Sequence, residues 1–179
     1  MSSVFQSDLA VLGAGPGGYV AAIRAAQLGQ KVAIIDRERP GGVCLNWGCI
    51  PTKALLTGAE WVENLKFHGE TFGISSSGVL ELDYGKAIAH SRKVSDILCK
   101  GVHSLLKKNQ IKFFQGEGRL SGKRGLNVHS PKEVQVEAAH ILLATGSEEF
   151  VPRGLTIDGK RILTSREALE SSEVPERIV

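Results

Sequence analysis

The sequence lacks the marks of export and of membrane residence. Its first residues, MSSVFQSDLA, hold no basic segment followed by an apolar one, so no secretory leader is visible. The most apolar stretch, residues 9–28, is broken by Arg24 and by glycines, which argues against a bilayer span. Cysteine is scarce, three in 179 residues; that excludes a stapled disulfide scaffold and leaves redox or metal chemistry for any close pair. Charge of one sign is not in excess either. The net charge is +3, and the basic residues, among them Arg37, Arg39, Lys100 and Arg124, are scattered rather than gathered on one face that could follow a phosphate backbone. Lys107-Lys108 reads as the cationic end of a helix. No internal repeat or low-complexity tract is present. These absences leave a globular chain of ordinary composition, 42% hydrophobic and 23% charged, long enough for one domain with its own core. The expected compartment is the cytoplasm, with neither nucleic acid nor membrane as a partner.

The pattern along the chain predicts an α/β fold. Residues 8–12 read as a short buried strand, 13–18 as a tight glycine turn, and 16–28 as a packed helix closed by Gly29. A second buried strand follows at 31–36, and the three elements form a βαβ unit, a right-handed parallel crossover. Residues 37–50 are expected as a glycine-rich loop and 51–66 as a helix with Pro51 in its first turn. After an irregular connection at 69–83, the spacing of Ile88, Val94, Ile97, Leu98, Val102, Leu105 and Leu106 predicts a long helix over 84–109 with one buried face. A third strand is expected at 111–115 and a small antiparallel meander at 118–137. A separate buried strand is expected at 139–144. A short strand at 161–163 and a Ser-capped helical turn at 165–169 are expected near the end.

The glycine turn carries a fingerprint. Gly13-x-Gly15-x-x-Gly18 would be a weak signal alone. Here it follows a strand, opens a helix, and is followed by Asp36 at the end of the next strand, close to the roughly 20 residues that separate such parts in a dinucleotide-binding Rossmann unit. Gly13 permits the tight turn, Gly15 lets backbone approach a pyrophosphate, and Gly18 lets helix and strand pack closely. The helix N-terminus offers N–H groups and a favourable dipole to phosphates. Asp36 is placed to accept from ribose hydroxyls, which disfavours a 2′-phosphorylated ligand. The glycines could instead serve packing alone, and the fingerprint does not by itself choose between dinucleotides.

The sharpest segment is Gly41-Gly-Val-Cys44-Leu-Asn-Trp-Gly-Cys49-Ile-Pro-Thr-Lys53. An extended run would hold the two cysteines about 17 Å apart, against about 5.5 Å between the Cα atoms of a disulfide. Asn46 and Gly48 can supply the curl that closes this distance. A helix beginning near Pro51 puts Cys49 at its N-terminus, where the dipole favours a thiolate. Two other readings are open, a pair of unbonded core cysteines or half of a metal site, though no second cysteine pair and no histidine at ligand spacing supports a metal. Cys99 falls on the apolar face of the long helix and reads as an inert core residue.

The run GGxCLNxGCIPxK downstream of GAGPGGYVAA resembles the flavoprotein disulfide reductases, with the dihydrolipoamide dehydrogenases as the nearest branch. The resemblance covers essentially the whole chain, including Gly116-Glu-Gly118 after the third strand and Ala144-Thr-Gly-Ser147 after the later one. It implies a Rossmann-like FAD-binding fold over 1–150, containing the cysteine loop 41–53 and the meander 118–137. A connection, 151–179, would lead toward an NAD-binding domain that this sequence lacks. It implies that Cys44 and Cys49 form a redox-active disulfide, Cys49 as the thiolate nearer the flavin and Cys44 as the one that exchanges with dihydrolipoamide. Gly13, Gly15, Gly18, Asp36, Arg37, Gly42, Val43, Cys44, Lys53, Gly118, Ala144, Thr145, Gly146 and Ser147 would contact FAD. NAD would be the co-substrate, lipoyl domains of a 2-oxo acid dehydrogenase complex or a glycine-cleavage carrier the partners, and a homodimer the full-length state. Glutathione and mercuric reductases share this framework but usually carry Val where Leu45 stands, and a free-standing, non-catalytic FAD module is a further reading. Two departures stand out. Asp36 replaces the commoner Glu. In addition, none of His68, His90, His103, His129 or His140 sits in the His–Glu motif of the family's acid–base catalyst, so the chain is expected to be an N-terminal fragment, inactive alone.

Overall fold

The computed structural model describes residues 3–75, 78, 81–130 and 133–179. The chain divides into two compact units, each made of two stretches: 1–44 with 97–148, and 45–96 with 149–179. The span 1–150 is therefore distributed over both.

The first unit is built on a six-stranded sheet of β1 (Ser3–Leu12), β2 (Val32–Asp36), β3 (Lys112–Gln115), β4 (Glu117–Ser121), β5 (Gly125–His129) and β6 (Val134–Leu143), in the order β3-β2-β1-β6-β5-β4. β1 lies parallel to β2, with Leu9 opposite Val32, and parallel to β6, with Leu9 opposite His140; β2 lies parallel to β3. β4, β5 and the first half of β6 form the expected antiparallel meander. Val32 to Ile35 are all buried, the continuous apolar run of a strand covered on both faces. Ala10, Ala33, Ile35, Leu126, Val128, Val136 and Ala138 make one core that ties the parallel strands to the meander. Helix α1 (Pro16–Gln27) is the crossover from β1 to β2, with Pro16 in its first turn and Gly29 in the left-handed conformation just past its end.

Two expected strands are one. The end of the meander and the strand placed at 139–144 join in the ten-residue β6. The reason is that Val134–Glu137 pair with β5 on one side while the whole strand pairs with β1 on the other, so no turn intervenes. β1 likewise starts at Ser3, because β6 offers it a partner along its full length.

The second unit contains the end of α2 (Gly42–Trp47), all of α3 (Cys49–Glu63) and the first half of α4 (Tyr84–Lys108), whose remainder belongs to the first unit. It also contains α5 (Ser165–Glu170). The expected loop over 37–50 is helical in its second half, where Leu45 and Asn46 are buried. α3 begins two residues before Pro51, so the missing N–H of Pro51 falls in the first turn, where it costs no intrahelical bond. A π turn at Asn64–His68 and a 3-10 turn at Gly69–Phe72 prolong α3.

Along α4 the buried stripe is Ile88, Ser91, Ser95, Cys99, Val102 and Leu106, at helical spacing. It is rotated from the expected face. Ile97, Leu98 and Leu105 are exposed, and small serines, which allow close approach, take the inner positions. The expected strand at 161–163 is absent. Asp158 instead accepts the N–H groups of Lys160, Arg161 and Ile162 at 2.8–2.9 Å, folding that stretch into a tight turn and pulling the Asp158 carboxyl below its ordinary range. The cap of α5 is Thr164 rather than Ser165, in a reciprocal box with Glu167. No helix among the described residues is long and apolar enough to cross a membrane.

Candidate functional site

The chain runs outward from β1 to β2 and β3 on one side of the sheet and returns to β6 on the other, so β1 and β6 meet at a topological switch point. Ligands of open α/β sheets bind beyond the C-terminal ends of strands at such a point. Both expected cofactor loops are there: 13–18 leaves the end of β1, and Ala144 to Ser147 leaves the end of β6. Their backbones touch. Ala144 donates to the Leu12 carbonyl at 2.8 Å, and a Cβ added to Gly13, whose φ is +105°, would stand 2.1 Å from the Ala144 oxygen. A Cβ on Gly18 would stand 1.8 Å from the Gly13 oxygen. The fold itself therefore requires these two glycines.

Gly15 is different. Its φ is −72°, and an added Cβ would meet only the Gly42 Cα at 3.7 Å, an ordinary contact. An alanine Cβ would therefore be accommodated here, unlike at Gly13 and Gly18. The N-terminus of α1 is prepared for an anion: no side chain caps it, and its first turn holds no acidic residue. These residues fit a dinucleotide pyrophosphate.

Asp36 has work within the protein. One oxygen accepts from the Ala14 N–H at 2.6 Å and the other from the Glu38 N–H at 2.9 Å, so the carboxylate ties the glycine turn to the end of β2. Each oxygen keeps a lone pair for a ribose hydroxyl. Beside it, exposed Arg37 pairs with Glu148 at 3.0 Å, and that contact holds the guanidinium firmly protonated. Since β2 and β6 flank β1, this ion pair reaches across the end of the central strand. Glu148 carried no sequence signal of its own beyond following Ser147.

The cysteine segment is fastened to the glycine turn. Gly41 donates to the Ala14 carbonyl at 2.8 Å, and Gly42, with φ +60°, lies so close to Gly15 that a Cβ on it would stand 2.5 Å from the Gly15 Cα. From this anchor α2 carries exposed Val43 and half-buried Cys44, while Cys49 is the exposed first residue of α3. Cys99 is buried in the α4 stripe. All three are thiols rather than disulfides in this structure. Lys53 is exposed one turn into α3, in the second unit with Cys49, whereas the remaining candidate residues belong to the first. Gly118 points its missing side chain at the core: a Cβ there would stand 2.4 Å from Leu12 Cδ1 and 3.1 Å from Ile35 Cγ2, so packing alone accounts for the glycine. Thr145, Gly146 and Ser147 form an exposed loop. No group of three or more His, Cys, Asp or Glu side chains among the described residues is placed to hold a metal ion.

Residues 7–179 match the family model of the pyridine nucleotide-disulphide oxidoreductases. The chain belongs to that family. Among curated relatives it is 47% identical over 180 residues to a dihydrolipoyl dehydrogenase of Chlorobaculum parvum, covering 99% of this chain and 38% of the relative. It is 40% identical over 183 residues to one of Bacillus subtilis, covering 96% and 38%. The chain thus spans under two fifths of the length of these relatives. Among solved structures it superposes on the Cu(II) complex of the HOCl-induced flavoprotein disulfide reductase RclA from Escherichia coli with a TM-score of 0.80. That match has 24% identity over 95% of this chain and 35% of the other, a likeness of fold.

Proposed function

We propose that the chain is the FAD-binding, disulfide-bearing part of a dihydrolipoyl dehydrogenase. The observation that carries this reading is the joint between Gly15 and Gly42, which fixes a dinucleotide-type phosphate loop against the start of the cysteine helix. The glycine turn and the α1 N-terminus would hold the pyrophosphate, Asp36 the ribose, and the 145–147 loop the far side of the cofactor. Dihydrolipoamide would attack the Cys44–Cys49 disulfide through one sulfur; the mixed disulfide at Cys44 would then resolve to lipoamide, leaving both cysteines as thiols. FAD, when bound, would supply the two-electron redox chemistry between the cysteine pair and NAD. The contribution of this chain would be the two sulfurs themselves, Cys44 carried on α2 and Cys49 as the first residue of α3. The lipoyl carrier, the homodimer and the cytoplasmic setting belong to the same reading; the name dihydrolipoyl dehydrogenase that the relatives carry supports its dihydrolipoyl substrate.

The test is anaerobic addition of dihydrolipoamide to protein loaded with excess FAD, followed by flavin absorbance. The reading predicts bleaching in the wild type and its loss in Cys44→Ser and Cys49→Ser. Bleaching in both variants to the extent seen in the wild type would refute it.

A further inference from the structure

The two residues in the middle of the cysteine segment, Asn46 and Trp47, are held from outside it. Arg92 of α4 donates through Nη1 to the Asn46 carbonyl at 2.7 Å. This carbonyl is in the last turn of α2, where helix oxygens have no partner within the helix and where a cation is favoured by the dipole. Arg166 of α5 stacks on the Trp47 ring, its guanidinium carbon 3.8 Å from the centroid. Glu170 of α5 stands between the two arginines, 3.9 Å from Arg92 Nη1 and 4.0 Å from Arg166 Nε. All five residues belong to the same compact unit.

Arg92 is an expensive residue to put there. Its Nε and Nη2 are buried and have no hydrogen-bond partner among the described residues. Burying donors without partners is unfavourable, and an aliphatic side chain would fill the space without that cost. What the guanidinium does that an aliphatic side chain could not is grip the carbonyl at the end of α2, immediately before Gly48 turns the chain into α3.

We propose that Arg92, Arg166 and Glu170 form a clamp that positions the Asn46–Trp47 link and so sets how readily Cys44 and Cys49 close into a disulfide. The inference rests on the functional reading of that pair. Arg92 and Arg166 are positioning residues, acting through the main chain and the indole. A link held in one conformation has already lost the freedom that closing the disulfide would otherwise remove. A loosened link must lose it at closure, so the disulfide becomes less favourable relative to the dithiol.

The experiment equilibrates the protein in glutathione buffers, where protein dithiol and oxidised glutathione exchange for protein disulfide and two reduced glutathiones. The equilibrium constant is read by trapping thiols and mapping peptides. Arg92→Met is expected to lower the constant by roughly tenfold, and Arg166→Ala, an exposed change on a short surface helix, by about two- to fivefold, the size of an exposed cation–π contact. Arg92→Lys, which can still donate to the carbonyl, should recover most of the loss. A fall of less than about twofold in Arg166→Ala overturns the proposal whatever happens to the melting temperature, and that variant decides the matter if Arg92→Met does not fold. A wild-type protein that forms no Cys44–Cys49 disulfide in any buffer would instead overturn the functional reading on which the clamp depends.

Discussion

Gly15 and Gly18 occupy one motif for different physical reasons, and substitution separates them. Gly18→Ala drives a Cβ into the Gly13 carbonyl and should cost about 1–3 kcal/mol or more, as overpacking does. Gly15→Ala meets only an ordinary contact, so thermal unfolding should be nearly unchanged. Gly15→Val should also fold, while FAD affinity, measured by fluorescence titration, falls about tenfold or more as the side chain blocks the phosphates. Equal FAD affinity in wild type and Gly15→Val would mean that the pyrophosphate is bound elsewhere. Asp36→Ala removes acceptors from two backbone N–H groups and should destabilise the protein by about 1–3 kcal/mol even without a ligand, read by denaturant unfolding. The glycines and cysteines were legible in the sequence because their spacing is local. Arg92 and Glu148 were not, because their partners lie 46 and 111 positions away and charged residues in a helix or loop ordinarily read as solvated.

At the scale of elements, α5 carries its own pH sensitivity. The Thr164 hydroxyl and backbone N–H both donate to Glu167, and these bonds lower the carboxyl from its ordinary 4.5. A depressed folded value means that the contribution is complete above 4.5 and is lost as pH falls through the lowered value. Amide exchange or NMR of Arg166 and Glu167 should therefore show α5 fraying in that acid window, and Glu167→Gln should remove the transition. A helix equally stable on both sides of the window would show that the box contributes nothing. Thr164-x-x-Glu167 is a capping pattern that a reader of the sequence could have found, one residue before the expected cap. By contrast, the union of two predicted strands in β6 and the short helix α2 were beyond local pattern. The first depends on which strand lies alongside, the second on burial of Leu45 and Asn46 in a stretch whose glycines read as loop.

At the scale of the whole molecule, the chain holds one dinucleotide fingerprint, and the proposed electron route needs two nucleotide sites. Made alone, residues 1–179 should bind FAD weakly and form no NADH from dihydrolipoamide and NAD. Exposed Trp61, Phe67, Phe72 and Phe150 should also make the isolated chain prone to association, visible in light scattering. NADH formation at the rate of a complete flavoenzyme would show the chain to be self-sufficient. The most direct test of the central claim asks which cysteines react with one another. The protein is treated with oxidised lipoamide, its remaining thiols are alkylated, and its peptides are mapped without reductant. The account predicts a Cys44–Cys49 disulfide, with Cys99 still a thiol that alkylates only after unfolding; Cys99 joined to either partner, or Cys44 and Cys49 both still open to alkylation, would contradict it.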